Sequence, residues 1–284
     1  MIRKRKTLLK WLVALALVVV PVVLVVVPFV RSGMVMGGYI EYSAAELLNR
    51  KGFDWRTAQT GHVFVYFEPG THAEKMLEKL KRVNEAAYDS NLRLLDCDAY
   101  PEKLHTFAVD SREKMKRLIH YETNGKAFPR HHTACFVVSE SIWAATAHEL
   151  FHVMHHQLWG QAGFKKWHWL SEGMAVNADE KWQGQDPHGF CGQLHEKGEL
   201  IPLSQLCDRF GSASPMITYP QAGSFVRFLY EEYGVAKLRE LWQQGHQAMR
   251  GVFSQDLSQL EKAWLARIAR AGEPPSHAAR TLLR

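Results

Sequence analysis

Two histidines and a glutamate in the middle of the chain have the spacing of a catalytic metal site. The segment H-E-L-F-H at residues 148–152 places His148 and His152 four residues apart. On a helix their rings project from one face, one turn apart, and can bind a single ion. Glu149 is rotated about 100° around the helix axis from His148, so its carboxylate can reach a water on that ion rather than ligate it. Zinc lowers the pKa of such a water to about 7, where Glu149 can accept its proton.

A second motif supplies the third ligand that a catalytic zinc needs. Such a zinc takes three protein ligands and keeps one position open. Glu172 follows His152 by 20 positions, within the segment W-L-S-E-G-M-A at residues 169–175. That separation allows one helix to end and a second helix to return, and Gly173 lets backbone or substrate pass close by. The sequence therefore predicts one Zn²⁺ held by His148, His152 and Glu172.

The two motifs together carry a family resemblance. HExxH followed by W-L-x-E-G-x-A resembles the gluzincin metallopeptidases, the group of thermolysin and aminopeptidase N. The resemblance implies a zincin-like α+β fold and hydrolysis of peptide bonds, with Glu149 as the general base. The separation of the motifs is one residue longer than in the common aminopeptidase N form, which we interpret as a longer loop. The upstream G-x-M-E-N motif, whose glutamate holds the free amine of the substrate, is absent, so nothing indicates an aminopeptidase.

Two other interpretations of the histidine motif were compared with this one. HExxH alone is a weak signal in a chain with 15 histidines among 284 residues, because a helix can carry exposed histidines and a solvated glutamate. The second motif at a workable distance argues against that interpretation. The metzincin class needs a third histidine further along the same segment, where this chain has Leu158. We therefore exclude that class.

A tyrosine after the zinc motifs is a candidate catalytic residue. The segment beginning at Tyr219 is similar to a pattern, Y-x-Q-A-x-S-F-V-x-x-L-x-x-x-Y-G, that recurs after the zinc site in membrane-associated gluzincin-like proteins. Hydrolysis through a tetrahedral intermediate needs a hydrogen-bond donor to the oxyanion, and the phenol of Tyr219 suits this role. The alternative is that Tyr219 is a packing residue at the start of a helix.

The elements that position these residues carry further candidates. A strand is predicted at residues 134–139, directly before the HExxH helix. In gluzincins the strand before that helix forms the sheet edge along which an extended peptide lies; the alternative is an ordinary buried strand. His155 and His156 are predicted either as partners of the site or, more simply, as partly exposed residues at the helix end. Asn177 or Asp179 is a candidate to hydrogen-bond a ligating imidazole.

The first thirty residues predict a membrane anchor. Residues 1–10 carry five basic side chains and no acid, and residues 11–30 are 20 uncharged residues dominated by Val and Leu. A helix of that length spans about 30 Å, the thickness of a bilayer core. A cleaved signal peptide is the alternative, but its apolar region is usually only ~7–15 residues. The positive-inside tendency places the N-terminus in the cytoplasm and the chain after residue 31 outside.

The net charge of the chain comes from its basic N-terminal tail. The whole chain has 35 basic and 29 acidic residues, a net charge of +6. Without the five basic residues of the tail, 30 basic side chains face 29 acidic ones, a net charge of +1. The charge therefore predicts no nucleic-acid partner. The partners predicted are a peptide or protein substrate and, through the N-terminal helix, the membrane.

Four cysteines, none of them in a C-x-x-C pair, argue against a structural zinc ribbon. An outward-facing domain lies in an oxidising compartment, where an even number of cysteines permits two disulfides and three connectivities. We predict Cys191–Cys207 as a local loop, which leaves Cys97 and Cys135 as the second pair.

The predicted organisation is a single catalytic domain behind a membrane anchor. The segments are a cytoplasmic tail (1–10), a transmembrane helix (11–30), an exit segment with a short helix (31–59), a gluzincin-like domain (60–271) and a flexible tail (272–284). The fold class is α+β and zincin-like, with a small N-terminal mixed sheet and a mainly helical C-terminal half. The predicted function is a membrane-anchored, outward-facing zinc peptidase. The alternative is a catalytically silent, metal-stabilised domain that binds a partner at the membrane, and hydrolysis of a different bond is a third possibility.

Overall fold

A mixed sheet forms the N-terminal part of the described structure, and helices form most of the remainder. The computed structural model describes residues 40–143, 146–160 and 168–270. From Glu41 onward these residues belong to one unit of the chain, and of the other unit, residues 1–40, only Ile40 is described. The predicted basic tail, the predicted anchor and the predicted C-terminal tail all lie outside the described residues.

The sheet has five strands in the order β1-β2-β3-β5-β4. The strands are β1 (Arg56–Gln59), β2 (Val63–Phe67), β3 (Leu104–Val109), β4 (Gly125–Phe128) and β5 (Thr133–Val137). The three central strands β2, β3 and β5 are parallel, whereas β1 and β4 pair antiparallel to their neighbours at the two edges. Parallel neighbours need a crossover connection, and helices supply it here.

The helices divide between crossovers of the sheet and a C-terminal helical part. The crossover helices, after the short α1 (Ala44–Leu48), are α2 (His72–Lys75), α3 (Leu77–Leu95) and α4 (Arg112–Ile119). The C-terminal helices are α5 (Thr146–Trp159), α6 (His168–Ala178), α7 (Pro187–Glu196), α8 (Leu203–Asp208), α9 (Pro215–Gln244), α10 (Met249–Phe253) and α11 (Leu257–Ala269). Helix α9 is kinked at Gly234, where φ is 79°.

Polar side chains cap the N-termini of the first two helices. Ser43 caps α1 by accepting a hydrogen bond from the backbone N–H of Glu46, and the Glu46 carboxylate accepts one from the backbone N–H of Ser43. Ser43 and Glu46 have the S-x-x-E spacing typical of a capping box, and this reciprocal pair is one. Thr71 caps α2 by accepting a hydrogen bond from the backbone N–H of Glu74, whose carboxylate accepts one from the backbone N–H of Gly70. The chain leaves helical geometry at Met76, which separates α2 from α3.

The two faces of the sheet bury separate clusters of apolar side chains. One face, with Val63, Val65 and Phe136, belongs to the large core that also contains the inner faces of α3, α5, α6 and α9. The other face, with Phe107 and Val137, belongs to a smaller cluster covered by α1 and α4. The alternation follows from the two-residue period of a strand, which sends successive side chains to opposite faces.

The predicted fold class and localisation need correction. No described helix is both long enough and apolar enough to span a bilayer. The two longest, α3 and α9, have 19 and 30 residues but carry charged side chains along their length. The described residues form a mixed α/β fold with a five-stranded sheet and a majority of helices, and the α+β, zincin-like class with a preceding transmembrane helix is corrected to this description. The predicted single-pass localisation is therefore supported by no described helix, and residues 11–30, on which it rested, lie outside the described part of the chain.

The strand before the HExxH helix is not an edge strand. β5 pairs on one side with β3 and on the other with β4, so its backbone groups are used within the sheet. The edge strand on this side of the sheet is β4, which no local sequence pattern predicts. Gly125 and the following Pro129 hide this strand from pattern analysis, because neither residue favours a strand. The pairing of Gly125 with Phe136 and of Phe128 with Thr133 makes it one.

The predicted disulfides are absent, and all four cysteines are free. Cys135 lies on β5 and faces the smaller core cluster. Cys97 packs against the large cluster, across the sheet from Cys135. Cys191 and Cys207 lie on α7 and α8 and are buried in the large core. The prediction was wrong because an even number of cysteines permits pairing but does not bring the sulfurs together.

Candidate metal centre

Packing of helix α5 in the core fixes the orientation of the face that carries both histidines of the motif. Leu150, Phe151 and Val153 are fully buried in the large core. His148 and Glu149 are half-buried, and His152 is buried. The first turn of α5 is also fixed from outside, since the side-chain amide of Asn91 on α3 donates to the carbonyl of Ala147 over 3.0 Å.

Helix α6 returns Glu172 to the histidines, and close packing against α9 holds it there. A Cβ at Gly173 would lie 2.6 Å from the carbonyl oxygen of Ala222, and one at Gly223 would lie 2.4 Å from a methyl group of Val176. Both distances are shorter than any real carbon contact, so only glycine lets the two backbones approach this closely. Glu172 therefore lies at a position that the helix crossing fixes.

The three predicted ligands meet in a small triangle. His148 Nε2 is 3.1 Å from Glu172 Oε2, His152 Nε2 is 3.4 Å from the same oxygen, and the two ring nitrogens are 3.2 Å apart. These three side chains lie close enough together to hold one metal ion. They are also the one group of at least three histidine, cysteine or acidic residues with this property among the residues described.

The triangle has the size that a tetrahedral zinc site requires. Zinc binds histidine nitrogen and carboxylate oxygen at about 2.0–2.2 Å, so two ligands at a tetrahedral angle lie about 3.3–3.5 Å apart. The observed edges of 3.1, 3.2 and 3.4 Å are close to that value. Two imidazoles and one carboxylate are also a donor set found in catalytic zinc sites. The residues present therefore fit a zinc ion.

The charges of the protein groups in the triangle are strongly coupled. Burial disfavours a charged imidazolium, but the hydrogen bond and negative charge of Glu172 outweigh burial and raise the pKa of His148 to about 9. Burial likewise disfavours the Glu172 carboxylate, yet the charge of His152 and the bond to His148 hold its pKa well below the usual value. The carboxylate is thus ready to ligate a cation, whereas His148 must first lose a proton.

Further side chains orient the ligands, and the sequence analysis missed two of them. Ser171 Oγ lies 3.2 Å from His152 Nδ1, the ring nitrogen that faces away from the triangle. His168 Nε2 lies 3.2 Å from Glu172 Oε1, the carboxylate oxygen outside the triangle. Such contacts fix the orientation of metal ligands. The four-residue spacing of His168 and Glu172 on a helix was the signal that could have identified this contact.

The other residues named from the sequence take different positions from those expected. Asp179 accepts a hydrogen bond from the backbone N–H of His148 over 3.2 Å, and burial raises its pKa to about 6. Asn177 bonds to α9 and not to a ligating ring: its amide donates to the carbonyl of Gly223, and its oxygen accepts from Arg227. His155 and His156 are 1% and 7% exposed, so the prediction of exposed helix-end residues was wrong.

Glu149 points toward the edge of the sheet. A Cβ built at Gly125 on the edge strand β4 would lie 2.5 Å from Glu149 Oε1 and 2.8 Å from its Cγ. The carboxylate therefore occupies the space beside Gly125, and no larger residue at that position would leave it there. The sequence analysis had no signal for this contact, because Gly125 belongs to a strand that it did not predict.

Tyr219 lies beside a predicted ligand. Its ring centroid is 6.4 Å from that of His148, with the two ring planes 25° apart. The residue is half-buried near the start of α9 and also packs against the large core. The structure thus brings the Tyr219 ring to the triangle, and the hydrogen bond from its hydroxyl to an oxyanion stays a prediction.

A second group of side chains has the residue types of a hydrolase triad but a different role. Ser224 Oγ is 2.8 Å from His188 Nδ1, and His188 Nε2 is 3.5 Å from Glu231 Oε2. However, Ser224 is fully buried, and its oxygen accepts a hydrogen bond from the indole N–H of Trp264 over 2.9 Å. A nucleophile needs access to substrate, so this group joins α7, α9 and α11 and is not a second active site.

Comparison with known proteins does not assign the chain to a family. No protein-family model matches it. No curated protein matches it either. The resemblance to gluzincins therefore rests on the two motifs and remains a prediction.

Proposed function

We propose that this protein is a zinc-dependent peptidase of the gluzincin kind. The single observation that supports the proposal most is the triangle of His148, His152 and Glu172, with edges of 3.1–3.4 Å. Glu149 follows the first of these ligands on the same helix. Zinc held by these three residues would supply a Lewis acid and lower the pKa of a water to about 7. The residues of the chain supply the remaining steps.

Glu149 is the proton carrier in this proposal. It follows His148 on α5, is half-buried, and lies against Gly125 at the sheet edge. Its carboxylate accepts the proton of the attacking water and then delivers that proton to the leaving amine, a role that contributes typically 10²–10⁴-fold to rate. Tyr219 donates a hydrogen bond to the oxyanion that forms at the carbonyl under attack.

The edge strand β4 is the proposed substrate-binding element. It is the last strand of the sheet, antiparallel to β5, and packs beside α5. An edge strand offers backbone N–H and C=O groups to an extended peptide, which adds to the sheet as a further strand. A peptide paired with β4 passes Gly125 and therefore reaches Glu149. This replaces the pairing with residues 136–139 that the sequence suggested.

The test is a peptide-library digest with metal analysis. The purified protein should bind one zinc per chain and cleave peptides, and a chelator should abolish cleavage until zinc is restored. Glu149→Gln should keep the zinc and lower the rate by at least about 10²-fold, because it removes the proton acceptor. Glu113→Gln, an exposed residue on α4, is the matched control and should change neither quantity.

Two outcomes would contradict the proposal. Full activity of the Glu149→Gln variant would exclude this residue as the base. One zinc per chain without cleavage of any peptide would exclude the peptidase and favour the catalytically silent, metal-stabilised domain. His148→Ala, which removes one ligand, should lose the zinc and thereby separates a true site from adventitious binding.

A further inference from the structure

A continuous row of aromatic side chains begins at the metal centre and returns to it. The Tyr219 ring lies 6.4 Å from the His148 ring, 5.7 Å from the Trp182 ring and 5.2 Å from the Phe210 ring, between centroids. The Phe210 ring lies 5.2 Å from the His168 ring. We call Trp182, Phe210, Tyr219 and His168 the aromatic wall. His148 is a proposed ligand and His168 contacts Glu172, so both ends of the wall adjoin the metal centre.

The backbone holds the aromatic wall in place. Trp182 and Gln185 exchange two backbone hydrogen bonds of 2.8 and 2.9 Å across a two-residue turn. The turn residues Gln183 and Gly184 have φ angles of 50° and 81°, as in the tight type I′ turns of hairpins. Phe210 is only 6% exposed, and Tyr219 lies within α9. Such fixed rings lose little freedom when a ligand packs on them.

The wall borders a cleft with room for a large side chain. A cleft of about 450 Å³ is lined by His168, Phe210 and their neighbours between Cys207 and Ser212. Its charged lining residues, Asp208 and Arg209, have opposite signs, so the cleft has no net charge preference. Met216 is 45% exposed, and its sulfur accepts a hydrogen bond over 3.3 Å from the side-chain amide of Gln183, the residue after Trp182. The lining thus combines aromatic rings with one acidic and one basic side chain.

We propose that the aromatic wall is a specificity subsite, which takes an aromatic or large apolar side chain of the peptide adjacent to the bond that is cleaved. The inference rests on the proposed peptidase function. Aromatic rings pack on other rings with defined geometry, and this packing adds binding free energy beyond that from the apolar area buried. A small or charged side chain lacks that gain, and a charged one loses solvation against the rings.

The test uses amino-acid hydroxamates, which bind zinc through their own oxygens and need no catalysis. The hydroxamates of glycine, alanine, aspartate, lysine and phenylalanine are titrated into the zinc-loaded protein by calorimetry. Phenylalanine hydroxamate should bind at least tenfold more tightly than the glycine and alanine compounds, and the aspartate and lysine compounds should gain nothing over alanine. Sequencing of library cleavage sites should show the same preference at one position.

Variants locate the preference on the wall. Trp182→Ala should remove most of the advantage of phenylalanine hydroxamate and leave the affinity for glycine hydroxamate unchanged. Phe210 is buried, so the milder Phe210→Leu is used beside it and should reduce the advantage in part. Phe53→Ala is the matched control, because Phe53 packs with the small cluster on the opposite face of the sheet and should leave every affinity unchanged.

The two proposals fail in distinguishable ways. Equal binding of all five hydroxamates would overturn the aromatic subsite and leave the zinc peptidase intact. A phenylalanine preference that survives both Trp182→Ala and Phe210→Leu would also overturn the assignment to this wall. Failure of every hydroxamate to bind, including that of glycine, would overturn the metal centre and with it the subsite.

Discussion

At the scale of residues, the proposed centre brings one carboxylate oxygen and two imidazole nitrogens together. The buried carboxylate needs a positive charge beside it. Glu172 Oε2 has one ring nitrogen at 3.1 Å and another at 3.4 Å. Without a metal ion, a proton on His148 supplies the compensating positive charge, which is why the pKa of His148 rises to about 9. A zinc ion must displace that proton, so proton release and metal binding are coupled.

Zinc affinity should therefore depend on pH through His148. Because its pKa in the metal-free folded state is about 9, the ring is protonated at neutral pH and releases close to one proton when zinc binds. The affinity should rise about tenfold per pH unit from neutral pH and level off above pH 9. Calorimetry at pH 7 in two buffers of different ionisation enthalpy measures the released proton. An affinity that stays constant over this range would contradict the predicted coupling.

The raised pKa of His148 also makes the stability of the metal-free protein depend on pH. The pKa of His148 in the folded protein lies above the ordinary histidine value of 6.5, so protonated His148 contributes its full stabilisation through Glu172 below pH 6.5. That contribution should be lost as the pH rises toward 9. The free energy of unfolding of the chelator-treated protein, measured by urea between pH 6.5 and 9.5, should fall more than that of His148→Ala.

Gly125 should be needed for catalysis although it bears no side chain. Alanine there would place a Cβ 2.5 Å from Glu149 Oε1 and displace the carboxylate. A displacement of about 1 Å in a catalytic group can cost about 10²-fold in rate, so Gly125→Ala should lower kcat by that order while the zinc content stays at one per chain. Gly251→Ala, where a Cβ meets no atom within 4 Å, is the control and should keep full activity.

At the scale of elements, the crossing of α6 and α9 determines where Glu172 lies. Gly173 and Gly223 let the helices touch, and Asn177 joins them by donating to the carbonyls of both glycines over 2.7 and 2.8 Å. Arg227 on α9 in turn donates to the side-chain oxygen of Asn177. These contacts lie one turn from the ligand, so a change in the crossing moves Glu172 relative to α5.

Gly173→Ala should loosen this crossing. The new Cβ would lie 2.6 Å from both the Ala222 carbonyl oxygen and a methyl group of Val226. Overpacking of this kind costs typically 1–3 kcal/mol, so the free energy of unfolding should fall by that amount. Zinc affinity should fall as well, because Glu172 moves with the helix.

The control for this variant lies on a neighbouring helix. Gly189 on α7 has no atom within 4 Å of its would-be Cβ, so Gly189→Ala should leave both the stability and the metal affinity near their original values. If Gly173→Ala behaved like Gly189→Ala, the two helices would not be in the contact described.

At the scale of the whole molecule, the sheet separates side chains that the sequence suggested as partners. Cys97 packs with the large core cluster and Cys135 with the small one, so the sheet lies between them. Cys135 and Cys191 are fully buried, and Cys207 is 4% exposed. Burial raises the pKa of Cys191 to about 12 and raises those of Cys135 and Cys207 as well. These three sulfurs are therefore poor nucleophiles in the folded protein.

Thiol titration should show this arrangement directly. In the native protein one cysteine, the half-buried Cys97, should react promptly with a thiol reagent, and the remaining three should react only after unfolding. The total in denaturant should be four thiols per chain, with or without prior reduction. Fewer than four in the unreduced protein would show a disulfide and contradict the structure.

The sequence by itself determined the parts of the protein that depend on local spacing. The four-residue separation of His148 and His152 needs only a helix, and the strand predicted at residues 134–139 overlaps β5 at Thr133–Val137. Glu172 could be named as the third ligand because a returning helix brings the second motif back. The inferences that went wrong depend on distant contacts: the cysteines form no disulfides, His155 and His156 are buried, β5 is not a sheet edge, and the fold class needed correction.

Only the tertiary structure decided what depends on contacts between distant segments. β4 is a strand because β5 pairs with it, and Gly125 faces Glu149 because that pairing places the edge beside α5. The aromatic wall unites Trp182, Phe210 and Tyr219, which no periodicity connects. Local patterns predict the conformation of a segment, whereas packing of the whole chain determines which segments are its neighbours. For that reason the shape of the site could not be predicted from the residues proposed as ligands.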